Sequence, residues 1–304
     1  MGPHVVRAVG ARGLAAVSVS RRGGGPGGVA LDRRDVSRLK ALVRERRVTR
    51  VIDLLALTIA DTEPLWSALD GEVERWVMAS SCDVYRNYEG LQRKASPPPI
   101  DGLLDEDSPL RVTRYPYRSD PRRSVDAEDA WMDDYDKIPL EQALLARPDL
   151  GGMVLRLPMV FGPGDRQRRF QWLLRPMLER RRMLRVDPSW ATWRTTYGFV
   201  ADIADALATA ATAPHQPARE SVFNLGSGEI PDHQGWIDRF ARVLDWRGQT
   251  IGERAAADSP IAALDLRYAL QVDSRRFRTV HGWSEPTSLD DALRSTVADE
   301  AARD

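Results

Sequence analysis

Cysteine is almost absent from this 304-residue chain. Cys82 stands alone, which excludes an internal disulfide framework and suits a reducing compartment. Lysine is scarce too: Lys40, Lys94 and Lys137 are the only ones, and arginine supplies nearly all of the 44 basic residues. With the high alanine and glycine content, this bias reads as a GC-rich genome. Excess charge of either sign is missing, since Asp plus Glu also number 44. No net field therefore points to nucleic acid or an anionic membrane. No apolar run approaches membrane-spanning length. The opening MGPHVVRAVGARG has no apolar segment ahead of a cleavage site, so no secretory signal is expected. A soluble, cytoplasmic protein is the expectation. His4, His215, His233 and His281 show no metal-ligand spacing, and no metal is expected.

What is present suffices for one large or two ordinary domains with a real core. Residues 3–13 read as a helix with an apolar patch at Val5, Val6 and Val9. Ala15–Ser20 reads as a strand, followed by Arg21, Arg22 and a glycine-rich run, Gly23–Gly28. Asp32–Asp35 precedes a helix over Val36–Arg47, and Val51–Ala56 is a buried strand. Leu65–Leu69 suggests a helix and Arg75–Ser81 another strand. Alternation at this pace predicts a parallel sheet of right-handed βαβ units. Residues 86–130 are polar and proline-rich and read as a long loop, of the kind that lines a site.

The stretch Tyr135–Asp165 organises the rest. Leu140, Ala143, Leu144 and Leu145 have helical spacing. Pro148 and Gly151-Gly152 end that helix. Met153–Leu157 is a mostly apolar run, as a strand covered on both faces requires. Pro158 then opens a loop through Phe161-Gly-Pro-Gly-Asp165. In open α/β sheets ligands bind beyond the carboxyl ends of strands, so Leu157–Asp165 is expected at the site. Downstream, Phe170–Met183 reads as a basic amphipathic helix, Arg194–Val200 as a strand and Ala201–Ala213 as a helix. Ser221–Leu225 is a short strand closed by Gly226-Ser227-Gly228. Trp236–Trp246, Asp273–Arg278 and Ser288–Val297 complete the helices.

The order of these motifs resembles the extended short-chain dehydrogenase/reductase superfamily, the NAD-dependent epimerase/dehydratase family. Ser80-Ser81-Cys82-Asp83-Val84-Tyr85 looks like the family's SSxxVY, whose last serine is catalytic. Lys137, with Glu141 four residues on, looks like its catalytic lysine helix. LRLPMVFGPGD is similar to LRPxxVYGPGD, RTTYGFVADIADA to the segment at the substrate-diphosphate arginine, and FNLGSGE to the late signature. The resemblance implies a Rossmann-type doubly wound parallel sheet holding NAD or NADP and a small C-terminal α/β region closing over substrate. The expected division is 1–165 for the dinucleotide domain and 166–304 for the substrate region, with roughly 194–226 returning to the Rossmann core. The implied activity is that of an oxidoreductase, epimerase or dehydratase on a small carbonyl, alcohol or nucleotide-sugar substrate. The family often dimerises, so a homodimer is a further expectation; no nucleic acid or membrane partner is expected.

Two departures stand against these matches. The family opens with a strand and a GxxGxxG turn that sets cofactor pyrophosphate on a helix N-terminus. Here Gly2 fits the last glycine, and the first strand and two glycines are absent. A start codon placed too late or a truncated protein would each explain this, and the upstream reading frame separates them. As it stands, the sequence is expected to bind dinucleotide poorly, with strand edges exposed on both neighbours of the missing strand. The second departure is at the catalytic tyrosine. The family's YxxxK spacing counts back from Lys137 to Asp133, whereas Tyr135 is only two residues away. On a regular helix that spacing points Tyr135 elsewhere. Pro139 prefers a first helical turn, which leaves room for Tyr135, Tyr115 or Tyr117 to reach the site.

The expected site residues follow. Ser81, Lys137 and Tyr135 are the catalytic candidates, with a capping hydroxyl and an ion pair to Asp133 or Asp134 as plainer readings of Ser81 and Lys137. Gly2, Arg21, Arg22, Asp32, Ala56, Lys137, Leu157, Pro158 and Val160 are expected at the cofactor. Arginine after the second family strand accommodates the 2′-phosphate of NADP, which favours NADP over NAD; a solvated loop is the plainer reading. Tyr85 and Arg194 are expected at substrate, with a surface ion pair as the rival for Arg194. Cys82 reads as a packed thiol. A non-catalytic protein of the same fold, binding a ligand, a protein or RNA, is the alternative; the arginines of 166–185 are the one local basic cluster that would serve RNA.

Overall fold

The computed structural model describes residues 1–24, 27–118, 120, 127–214, 217 and 220–303. His215 lies outside them. The strands in chain order are β1 Ser18–Ser20, β2 Gly28–Ala30, β3 Arg50–Asp53, β4 Arg75–Ser81, β5 Gly152–Leu157, β6 Met159–Phe161, β7 Met183–Val186, β8 Tyr197–Phe199, β9 Val222–Asn224 and β10 Gln249–Gly252. The helices are α1 Gly2–Gly10, α2 Val36–Glu45, α3 Ile59–Leu69, α4 Arg86–Leu91, α5 Lys137–Leu145, α6 Gln171–Leu178, α7 Pro188–Thr192, α8 Val200–Thr212, α9 His233–Leu244, α10 Arg275–His281 and α11 Leu289–Ala301.

A four-stranded parallel sheet, ordered β3-β4-β5-β9, forms the centre. Its side chains alternate between two cores, as a strand's period of two demands. Val77, Ala79, Met153 and Leu155 face one core with Val5 of α1 and Ile203, Leu207 and Ala210 of α8. Trp76, Met78 and Val154 face the other with Leu65 and Trp66 of α3 and Leu140 and Leu144 of α5. Helices on both faces explain the continuous apolar run of β5. Alanines at 204, 206, 208, 210 and 211 let α8 press close to the sheet, and all are buried.

β1 and β2 form a separate parallel pair. Among the described residues β1 bonds only β2, and β3 bonds only β4 on its sheet side. The unpaired edges of β1 and β3 leave their residues partly exposed, whereas β4 is buried over its first six residues. This is the Rossmann-type parallel α/β arrangement with its sheet interrupted between β1 and β3, as the sequence led us to expect.

A third core lies beyond β5. Phe161, Phe170, Tyr197, Trp236 and Phe240 interlock there, between the β6-β8 pair and α6, α9 and α11.

Several boundaries differ from expectation. The 86–130 loop begins with α4, and a 3-10 helix spans Ala127–Asp133. The helix expected over Phe170–Met183 stops at Leu178, just past Pro176, and Met183 already belongs to β7. Gly28–Ala30, at the end of the glycine-rich run, is a strand that the sequence reading did not assign; it pairs with β1.

Candidate active site

The carboxyl ends of β4 and β5 carry the site. Register places Ser81 opposite Leu157, so the serine and the Leu157–Pro158 step share one end of the sheet. Ser81 Oγ accepts the backbone N–H of Asp83 at 3.2 Å, turning the chain into a short 3-10 segment over Cys82–Val84.

Lys137 is the first residue of α5, because Asp136 caps that helix by accepting the N–H of Ile138. Arg111 holds the same carboxylate at 2.6 Å in a fully buried ion pair. This boundary resolves the spacing problem at Tyr135. The tyrosine lies ahead of the cap, in extended chain, and regular-helix geometry does not apply to it. Its buried ring sits 5.6 Å from the Lys137 ammonium, centroid to nitrogen, and the Ser81 hydroxyl is near enough to pull against the rise in its phenol pKa.

The Lys137 ammonium donates to the carbonyls of Ala56 at 2.6 Å and Ala79 at 2.8 Å, rather than to Asp133 or Asp134. Arg118 takes the carboxylate of Asp134 instead. Burial lowers the Lys137 pKa to about 8, against the pull of Asp83, Asp53 and Glu141. A lysine bridging the ends of β3 and β4 beneath a serine and a tyrosine is a constellation for handling protons on a substrate oxygen.

Asp83 completes the group, and the motif reading passed over it. Its Oδ2 accepts hydroxyls from Tyr135 at 2.9 Å and Tyr117 at 3.1 Å. Tyr88 donates to Tyr117 in turn at 2.8 Å. Of the loop tyrosines, Tyr117 thus reaches the site, while Tyr115 lies under the Arg118 guanidinium at 3.9 Å. Asp83 sits two residues after Ser81; its place in the motif was visible, its partners were not. Cys82 is buried, and desolvation raises its thiol pKa to about 12, consistent with a packed side chain.

The remaining expected contacts divide. Ala56 is fully buried against Lys137, and Pro158 and Val160 follow Leu157 at the same sheet end. Gly2 opens α1, whose His4 ring contacts the Pro163 carbonyl at 3.1 Å, bringing that helix start to the Phe161–Asp165 loop. Arg21 and Arg22 are exposed just past β1, without an ion pair among the described residues. Asp32 is exposed and its carboxylate accepts the Arg34 N–H of its own turn. The two residues expected at substrate have these surroundings. Tyr85 is fully buried and donates to Asn224 at 2.6 Å, inside a network of Arg156, Glu141 and Ser80. It ties β5 and β9 to the chain after β4 and has no surface for a ligand. Arg194 donates to the Ile230 carbonyl at 2.8 Å and pairs with Asp232 on the surface.

Solved structures share this fold over nearly the whole chain. MoeE5 in complex with UDP-glucuronic acid and NAD is 22% identical with a TM-score of 0.68, covering 99% of this chain and 96% of that one. A UDP-glucose-4-epimerase from Stenotrophomonas maltophila, with bound NAD and formylated UDP-arabinopyranose, is 20% identical with a TM-score of 0.72; 99% and 95% are covered. An NAD-dependent NDP-hexosamine 5,6-dehydratase involved in tunicamycin biosynthesis is 19% identical with a TM-score of 0.65, over 100% and 95%. No family model and no curated protein sequence matches the chain.

Proposed function

We propose that this chain is an NAD(P)-dependent epimerase, dehydratase or reductase acting on a nucleotide sugar or a related carbonyl or alcohol. The observation that carries the reading is the meeting of Ser81, Tyr135 and Lys137 at the carboxyl ends of β3 and β4. The nucleotide-sugar ligands of the structural neighbours support the substrate class. We further propose residues 1–165 as the dinucleotide region and 166–304 as the substrate region, with 194–226 packed back on the core.

The residues present suit a dinucleotide in kind. Arg21 and Arg22 stand exposed beyond β1 with no acidic side chain beside them in sequence, a setting for a 2′-phosphate. Ala56, just past β3, presents only a methyl group, and Lys137 donates to its carbonyl. When bound, the nicotinamide supplies a hydride acceptor or donor. Ser81 then orients the substrate oxygen, Tyr135 exchanges a proton with it, and Lys137 holds the cofactor ribose. The last role requires the ammonium to exchange a main-chain carbonyl for a ribose hydroxyl.

The local basic cluster that would serve an RNA-binding alternative is partly neutralised. Of the arginines in 166–185, Arg168, Arg169, Arg175, Arg181 and Arg185 all engage carboxylates, which leaves little uncompensated positive surface for phosphate.

The test mixes the cofactor-loaded protein with UDP-hexoses and records the near-ultraviolet band of reduced nicotinamide. Transient reduction, lost in Tyr135→Phe, is expected. Absence of any spectral change or sugar conversion across the panel overturns the substrate assignment. Arg21→Ser with Arg22→Ser should weaken NADPH binding about tenfold and leave NADH unchanged, in line with the loss of roughly 1.4 kcal/mol of phosphate contact.

A further inference from the structure

We propose that Asp83 is the proton partner of Tyr135: the phenol passes its own proton to the Asp83 carboxylate as it takes one from the substrate hydroxyl. The proposal rests on the catalytic reading above and names the positioning residue on which it turns. Three geometric facts support it. The Tyr135 hydroxyl donates to Asp83 Oδ2 at 2.9 Å, so its oxygen lone pairs remain available to an incoming substrate proton. Asp83 is 3% exposed, and its Oδ1 has no hydrogen-bond partner among the described residues. A buried carboxylate oxygen left unsatisfied costs stability, which marks it as a group held for something other than packing. Finally, the Tyr117 hydroxyl holds the carboxylate at 3.1 Å, while the Asp83 backbone N–H donates to Ser81 Oγ at 3.2 Å and fixes the residue's main chain.

The step balances without a further reagent. The substrate O–H bond breaks and a Tyr135 O–H bond forms. The original Tyr135 O–H bond breaks and an Asp83 O–H bond forms. The reverse direction returns both protons. A tyrosine normally serves as base here by ionising beside a lysine. In this site burial raises the Tyr135 pKa, and the charge and hydrogen bond of Asp83 raise it further, against Ser81. Burial also raises the Asp83 pKa, against Arg111, Tyr135, Lys137 and Tyr117. The two groups are shifted in the sense that keeps the proton on the phenol at rest and makes the carboxylate a willing acceptor. The charged and titratable groups facing the pair are Lys137, Arg111, Tyr117, Tyr88 and the Cys82 thiol.

The test needs neither cofactor nor substrate. Tyrosine side-chain carbons are labelled, the Tyr135 resonance is assigned with Tyr135→Phe, and its shift is followed against pH while circular dichroism monitors folding. In the unsubstituted protein Tyr135 should stay un-ionised until the structure is lost. In Asp83→Asn it should titrate at least about one pH unit lower, since the carboxylate's charge and acceptance are gone. Asp83→Glu should restore the original behaviour. A Tyr135 titration identical in Asp83→Asn and the unsubstituted protein overturns the proposal. Should Asp83→Asn fail to fold, the unsubstituted protein decides: a Tyr135 resonance that ionises at or below the ordinary tyrosine pKa overturns it. With cofactor and substrate added, Asp83→Asn should slow turnover about a hundredfold and leave cofactor affinity within twofold. A protein that shows the tyrosine effect but binds no dinucleotide would retain the pair and refute the enzymatic reading; the converse would refute the pair alone.

Discussion

At the scale of single residues, Lys137 has the clearest solution signature. Its folded pKa of about 8 lies below the ordinary 10.5 because burial disfavours the ammonium. Between those values the unfolded chain holds the extra proton, so this residue makes stability rise with pH across that window. Urea unfolding at intervals from pH 8 to 10.5 should show the positive slope in the unsubstituted protein, and Lys137→Met should remove it. Arg156 offers the opposite case. Its guanidinium holds Glu141 at 2.8 Å, with both side chains 5% exposed. Arg156→Met strands the carboxylate and should cost about 3–5 kcal/mol, read as a lower urea midpoint. The double variant with Glu141→Gln should recover part of that loss.

At the scale of elements, close approach and unpaired edges dominate. Gly90 in α4 faces the ring of Tyr268, and a β-carbon there would collide with it. Gly90→Ala should therefore destabilise by about 1–3 kcal/mol, measured by thermal or denaturant unfolding. The edges of β1 and β3 predict a second pattern. Their outward amides should exchange with solvent faster than those of β4 and β5, which are bonded on both sides; native-state hydrogen exchange checks this.

These elements also show how far the sequence could be read. β4 and β5 were legible because a doubly covered strand must be apolar throughout. The start of α5 was legible only in part: Pro139 pointed to a first turn, but nothing local showed that Arg111, 25 residues away in sequence, holds the capping Asp136. That single boundary decided whether Tyr135 belonged to the site. The surroundings of Tyr85 were hidden for a related reason. Its motif places it at the site's edge, but its hydroxyl finds Asn224, 139 residues on, and no local pattern announces such a bond.

At the scale of the whole molecule, the chain combines an interrupted parallel sheet with a fully assembled cluster of proton-handling groups. The cluster is held by the Ala56 carbonyl just past the edge strand β3, the Ala79 carbonyl of β4, the cap of α5 and the Tyr117 loop. The aromatic core around Phe161 and Trp236 then positions the Phe161–Asp165 loop over the same sheet end. The cluster is thereby assembled although β3, the strand that leads to Ala56, is an edge strand.

The most direct measurement is a fluorescence titration of the chain with NADH and NADPH. A nicotinamide dinucleotide site in the crevice of Ser81, Tyr135 and Lys137 predicts weak but saturable binding, tighter for NADPH and displaced by the oxidised form. A flat response to both nucleotides, at protein concentrations where circular dichroism shows the fold intact, would contradict it.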